Sequence, residues 1–216
     1  VSTIEELQAI INQVNLDVAE KLVAKLEANP WVADTARTGE ATAFVNKILV
    51  EESQAAKEAL LVRLDAVKAV YEVLSAKGNT QDMADILQDQ KVSGENAFKN
   101  VDSTLGSKYR AAIFAEFEEN TRVTVADIQA VIDQVNEKHF VSLIKAVVQA
   151  AKAVEDEDYT ELSGALQALE EAVGEDWDIS DDLLEEYATA IKEQEPTTVE
   201  EIIAILVEAN TVDAIN

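Results

Sequence analysis

The sequence predicts an all-α chain, and three observations carry that prediction. Nearly half of the residues are apolar, mostly Ala, Val, Ile and Leu, and they recur at helical spacing with no strand-like alternation. Only 6 Gly and 2 Pro punctuate 216 residues, too few for the many turns an all-β chain of this size needs. A capped amphipathic segment occurs three times, at residues 3–15 (TIEELQAIINQVN), 124–136 (TVADIQAVIDQVN) and 198–210 (TVEEIIAILVEAN). The architecture expected from these is a set of tandem helical-bundle repeat units joined by a long shared helix.

Each segment opens on a threonine suited to N-capping, Thr3, Thr124 or Thr198, with an acid three residues on, Glu6, Asp127 or Glu201. That spacing is close to a capping box and places negative charge at the positive end of the helix dipole. Apolar residues follow at helical intervals, Ile4, Leu7, Ile10, Ile11 and Val14 in the first copy and Val125, Ile128, Val131, Ile132 and Val135 in the second. Beyond the motif, Leu22, Val23 and Leu26 align with Leu143, Ile144 and Val147.

The first helix should end at Asn29-Pro30-Trp31, because proline cannot continue a helix and disfavours α for the residue before it. Thr35–Gly39 reads as a loop, followed by a helix from about Glu40 through Glu58 that carries Phe44, Val45, Ile48 and Leu49. The next helix carries Leu60, Leu61, Leu64, Val67, Val70, Val73 and Leu74 toward Gly78, which suits a C-cap. Thr80–Gln88 parallels Tyr159–Gln167, and Tyr109 parallels Tyr187, so units of roughly 65 residues lie at about 70–136 and 147–210. Thr124 to about Val154 reads as one continuous helix. Two domains are expected, 1–136 with an inserted helical pair and 137–216, linked through the helix at about 124–154.

The pattern TVxxIQxxIDxVN at 124–136, followed by an acidic helical unit and a further copy of the motif, resembles helical repeats in large surface and S-layer-associated proteins of Gram-positive bacteria. That resemblance implies a modular, secreted, cell-wall-associated protein with no catalytic residues to carry over. A fainter similarity to helical repeats of cytoskeletal scaffold proteins would imply a cytoplasmic role.

The formal net charge of −26 repels phosphate backbones and anionic lipid, so nucleic acid is not an expected partner. The chain has no Cys, hence no disulfide and no thiolate. No apolar run approaches the ~20 residues of a spanning helix, so membrane insertion is not expected. The opening residues VSTIEELQ resemble no leader, and a start on a helix cap is what a segment of a longer chain would give. His139 is the sole histidine and aligns with Val18 of the first copy, which makes it a packing position rather than a catalytic base. A single histidine also excludes HExxH zinc sites and paired Glu-x-x-His di-iron sites. No GxxxxGK[ST] or GxGxxG occurs.

Calcium chemistry is the one kind the acids suggest. The loop Glu175–Asp182 begins as D-x-D-x-S in the manner of an EF-hand, but Asp181 stands where glycine belongs and Tyr187 where the bidentate glutamate belongs. It reads as a loop with Asp178 or Ser180 as a helix cap, and Glu155–Asp158 as a solvated turn with Asp158 capping toward Glu161. Either admits weak Ca²⁺ binding if neighbouring loops add ligands. Tyr109 and Tyr187 read as repeated core contacts whose hydroxyls reach the rim, and Trp31 and Trp177 as plugs of helix junctions or as exposed aromatics.

The function expected is a non-catalytic structural or spacer module of a secreted or surface-displayed protein, contributing to a cell-surface lattice or to adhesion. The expected partners are other modules of the same larger protein, a second copy of the chain, or a cell-wall polymer. The alternative is a dedicated binding module for a wall polymer or a partner protein, and a cytoskeletal-type scaffold is a third reading. No catalytic, cofactor-binding or metal-ligating residue is assigned. A carboxylate-only hydrolase would need two acids in a deep cleft, which a compact helical repeat provides poorly.

Overall fold

The structure, a computed structural model, describes residues 4–48 and 54–213, without the side chains of 212 and 213. It is all-α. The helices are α1 (Ile4–Ala28), α2 (Thr35–Asn46), α3 (Gln54–Ser75), α4 (Met83–Asp89), α5 (Gly106–Glu116), α6 (Val125–Ala153), α7 (Thr160–Val173), α8 (Leu184–Gln194) and α9 (Val199–Asp213). A two-residue antiparallel hairpin, β1 (Lys91–Val92) and β2 (Glu95–Asn96), follows α4. The chain divides into two compact units, residues 1–135 and 136–216.

Several local expectations meet a direct physical outcome. Helix α1 stops at Ala28, where Pro30 opens a short 3₁₀ turn. Gly78 adopts φ +111, the left-handed backbone that glycine allows, just past the end of α3. The stretch Thr35–Gly39, expected as a loop, is instead the first turn of α2. The Asp34 carboxylate caps that turn by accepting the Arg37 N–H at 2.8 Å, and the Thr38 hydroxyl donates to the Asp34 carbonyl at 2.9 Å. These bonds outweigh the modest cost of Gly39 inside a helix. The helix expected through Glu58 ends at Asn46, with tight Lys47 N–H to Phe44 O and Ile48 N–H to Val45 O bonds, and Glu58 belongs to α3. Thr3 and Leu49 lie outside the described residues.

Among the described residues, unit 1–135 holds two apolar clusters. One gathers Ala19, Val23 and Leu26 of α1, Ala41 and Val45 of α2, and Leu60, Leu64 and Val67 from the first part of α3. The other takes Val70, Val73 and Leu74 from the last part of α3, Met83 and Leu87 of α4, Tyr109 and Ile113 of α5, and Ile128, Val131, Ile132 and Val135 of α6. Helix α3 therefore serves two cores, one with each half. In unit 136–216 a cluster collects Ile144, Val147 and Ala151 of α6, Leu162, Leu166 and Leu169 of α7, Tyr187 and Ile191 of α8, and Ile202, Ile205 and Leu206 of α9. Helix α6 thus divides its apolar residues in the same way as α3.

Candidate interaction surface

The capped motif has the same local geometry in both described copies. The Asp127 N–H donates to Thr124 Oγ1 at 3.2 Å, and the Thr124 N–H donates back to Asp127 Oδ2 at 2.8 Å. At the third copy the Glu201 N–H donates to Thr198 Oγ1 at 3.2 Å, and the Thr198 N–H returns to Glu201 Oε2 at 3.2 Å. Two orphan amides are satisfied reciprocally at each start. The Glu201 carboxyl is held below the usual carboxylate range, first by the Thr197 amide and then by that of Thr198.

The two tyrosine helices also correspond. Both α5 and α8 follow a 3₁₀ turn, Ser103–Leu105 and Asp181–Leu183. Tyr109 and Tyr187 are fully buried. Each hydroxyl accepts a backbone N–H from seven residues upstream, Asp102 at 3.0 Å and Ser180 at 3.3 Å. The sequence suggests hydroxyls that reach the rim; both tyrosines are instead fully covered, and their hydroxyls tie the preceding loop to the core, where an unpaired amide would be costly. The Tyr187 hydroxyl also donates to Asn210 Oδ1, and Asn210 Nδ2 donates to the Asp178 carbonyl at 3.2 Å. Burial is the main cause that raises the Tyr187 pKa above the ordinary phenol value.

The apolar face of α1 departs from this pattern. Ile4 is 85% exposed, Leu7 47%, Ile10 55%, Ile11 50% and Val14 55%. Their motif counterparts in α6 and α9, Ile128 and Ile132, Ile202 and Leu206, are buried. The stripe continues through Val18 into a groove of about 510 Å³ lined by Val18, Leu22, Leu26, Val32, Ala41 and Phe44, with Lys25, Arg37 and Glu40 at its edge. A contiguous apolar patch rimmed by charge marks an interaction surface more often than it marks idle exposure.

Away from this stripe, α1 is fastened to α3 by a charged fork. Arg63 donates through Nε and Nη2 to the two Glu27 carboxylate oxygens, both at 2.7 Å, and through Nη1 to Glu20 at 2.6 Å. The Arg63 hydrogen bond is the main cause that lowers the Glu27 pKa, and Glu27 with Glu20 raises that of Arg63.

The residues singled out for chemistry are placed as follows. In the Glu175–Asp182 loop, the Asp178 N–H donates to Asp176 Oδ1 at 3.2 Å, with Asp178 at φ +51. Ser180 takes the N-cap position of the 3₁₀ turn Asp181–Leu183 that leads into α8, without a side-chain cap bond, and Leu183 occupies the N-cap of α8 itself. The Asp158 carboxyl is held below the usual carboxylate range first by the Thr160 hydroxyl and then by the Thr160 N–H, which donates to it at 3.1 Å; the cap position itself is Tyr159. Among the described residues, no group of three or more His, Cys, Asp or Glu side chains is placed to hold a metal ion. His139 is half-buried, its ring centroid 6.4 Å from that of Phe140. Trp177 is buried in its core and Trp31 packs partly buried against the core of α4 and α5. No described helix is long and apolar enough to cross a membrane.

No protein-family model, curated protein or solved structure matches the chain. The sequence pattern gives no sign of the stripe's exposure or of the Arg63 fork. The stripe has the same periodicity as its buried counterparts, and only its exposure distinguishes it.

Proposed function

We propose that the chain is a non-catalytic structural module of a secreted or surface-displayed protein, built from helical cores arranged in series as tandem repeat units. One observation carries this reading: α3 gives Leu60, Leu64 and Val67 to one cluster and Val70, Val73 and Leu74 to the next, and α6 divides its apolar residues likewise. A helix that two cores must share couples neighbouring units, which suits a spacer or lattice element. The net charge of −26 keeps such a module soluble and disfavours adhesion to anionic polymers except through cations. A second reading, a dedicated binding module for a wall polymer or a partner protein, is supported by the exposed α1 stripe and the adjoining groove.

The test is protease shaving of intact source cells, with the chain detected by an antibody raised against it. Peptides released from unbroken cells are the expected result. Protection until lysis would overturn the surface assignment and favour a cytoplasmic scaffold. Co-sedimentation of the purified chain with isolated cell walls at micromolar concentration would favour the binding module over the spacer.

A further inference from the structure

The exposed stripe of α1 has counterparts whose partners are known from this chain itself. Counting along the motif, Leu7, Ile10 and Ile11 stand where Ile128, Val131 and Ile132 stand in α6 and where Ile202, Ile205 and Leu206 stand in α9. In the first unit those α6 residues close a core whose other walls include Met83 and Leu87 of α4 and Tyr109 and Ile113 of α5. In the second unit the α9 residues close a core walled by Leu162 and Leu166 of α7 and Tyr187 and Ile191 of α8. The same kind of wall recurs: a helix, then a helix with a buried tyrosine. The later part of α1, Ala19, Val23 and Leu26, already serves the core that follows it, as the later parts of α3 and α6 serve theirs.

From this we infer that the first half of α1 is the closing helix of a further unit, and that its occupant is a two-helix segment of the α7–α8 kind placed immediately upstream of Thr3 in the parent polypeptide. The inference rests on the module reading above and adds what the module joins to. A second feature agrees with it. The motif ends on asparagine in all three copies, Asn15, Asn136 and Asn210, and Asn210 accepts the Tyr187 hydroxyl. Asn15 stands ready to receive a tyrosine hydroxyl from the incoming pair in the same way. A second copy of this chain is a poorer occupant, because its α7–α8 wall is already closed by its own α9.

The test is a fusion in which residues 137–197 are duplicated ahead of Thr3 of the full chain, so that α1 takes the place of α9. The chain has no cysteine, so Ile11→Cys supplies a unique thiol. Its maleimide labelling should slow at least tenfold in the fusion relative to the unfused chain, with both proteins monomeric. A second measurement removes dependence on that variant. With Trp31→Phe and Trp177→Phe in the original segment, the duplicated tryptophan should report a cooperative urea transition. Ile10→Gln with Val14→Gln should abolish that transition while leaving the melting of the unfused chain unchanged.

Equal labelling in both proteins, or a duplicated segment with no cooperative transition, would overturn the inference. So would protection of the thiol in the unfused chain together with a dimeric mass, which would assign the stripe to a second copy. None of these outcomes bears on whether intact cells display the protein, so failure here is separate from failure of the surface assignment.

Discussion

A single glycine illustrates how tertiary approach constrains this sequence at the residue scale. Gly106 opens α5 with ordinary helical backbone, φ −51, so it is not there for conformational freedom. A Cβ at Gly106 would lie 1.9 Å from Oδ1 of Asp82, the carboxylate that caps α4 by accepting the Ala84 N–H at 2.8 Å. Gly106→Ala must therefore push that carboxylate off its amide. The expected cost is about 1 kcal/mol, the usual value of an N-cap, since at the first residue of a helix alanine recovers little propensity. Urea unfolding of a double-mutant cycle checks this: in an Asp82→Ala background Gly106→Ala should cost almost nothing. Equal costs in both backgrounds would mean that something other than the cap resists the methyl group. Nothing in the sequence flagged this contact, because it arises only when α4 and the start of α5 meet. The capping boxes at Thr124 and Thr198, in contrast, were legible, because both partners lie within three residues of each other.

At the scale of whole elements, legibility followed the range of the forces involved. The 29-residue helix α6 was readable end to end, since its Thr124 cap and its apolar spacing are local properties. Helix α2 starts earlier than its sequence suggests: Thr35, Thr38 and Gly39 read as loop formers, while Asp34 and the threonine hydroxyls in fact feed the first turn. The hairpin at Lys91–Asn96 was missed since two-residue strands carry no alternation; Ser93 and Gly94, both at positive φ, are its turn. The sharing of α6 between clusters leads to a prediction. Ile128 and Ile132 are fully buried, so replacing both with Asp should cost several kcal/mol in the first unit. The tryptophans report the units separately, Trp31 against the first and Trp177 within the second. In single-tryptophan versions, the Trp31 urea midpoint should fall most. The Trp177 midpoint should fall as well, because the helix that presents Ile144 and Val147 loses its capped start. An unchanged Trp177 midpoint would show that the second unit folds without help from the first half of α6.

For the molecule as a whole, charge is the dominant property, with 43 acidic residues set against 17 Lys and Arg. Two electrostatic effects oppose one another. Ion pairs made by Lys77 with Glu119 and by Lys152 with Glu195 are exposed, and solvent screening leaves such pairs only weakly stabilising. The Arg63 fork adds somewhat more through its bidentate geometry. Against these stands the summed repulsion of a net −26, which destabilises the compact state over the whole surface. Salt weakens both, yet the repulsion acts between many groups several ångströms to tens of ångströms apart, the range that a Debye length of about 3–10 Å cuts off most effectively. Raising NaCl from about 0.02 M to about 0.5 M should therefore raise the melting temperature. Relief of about 2 kcal/mol would correspond to roughly 4–8 °C for a chain of this size. Differential scanning calorimetry across that series decides the matter, and a fall in melting temperature would mean that the ion pairs outweigh the repulsion. Ca²⁺ and Mg²⁺ at matched concentration separate screening from coordination: screening alone gives equal shifts, whereas a larger Ca²⁺ shift would place a specific site among the acidic loops, Glu155–Asp158 and Glu175–Asp182 being the first to mutate.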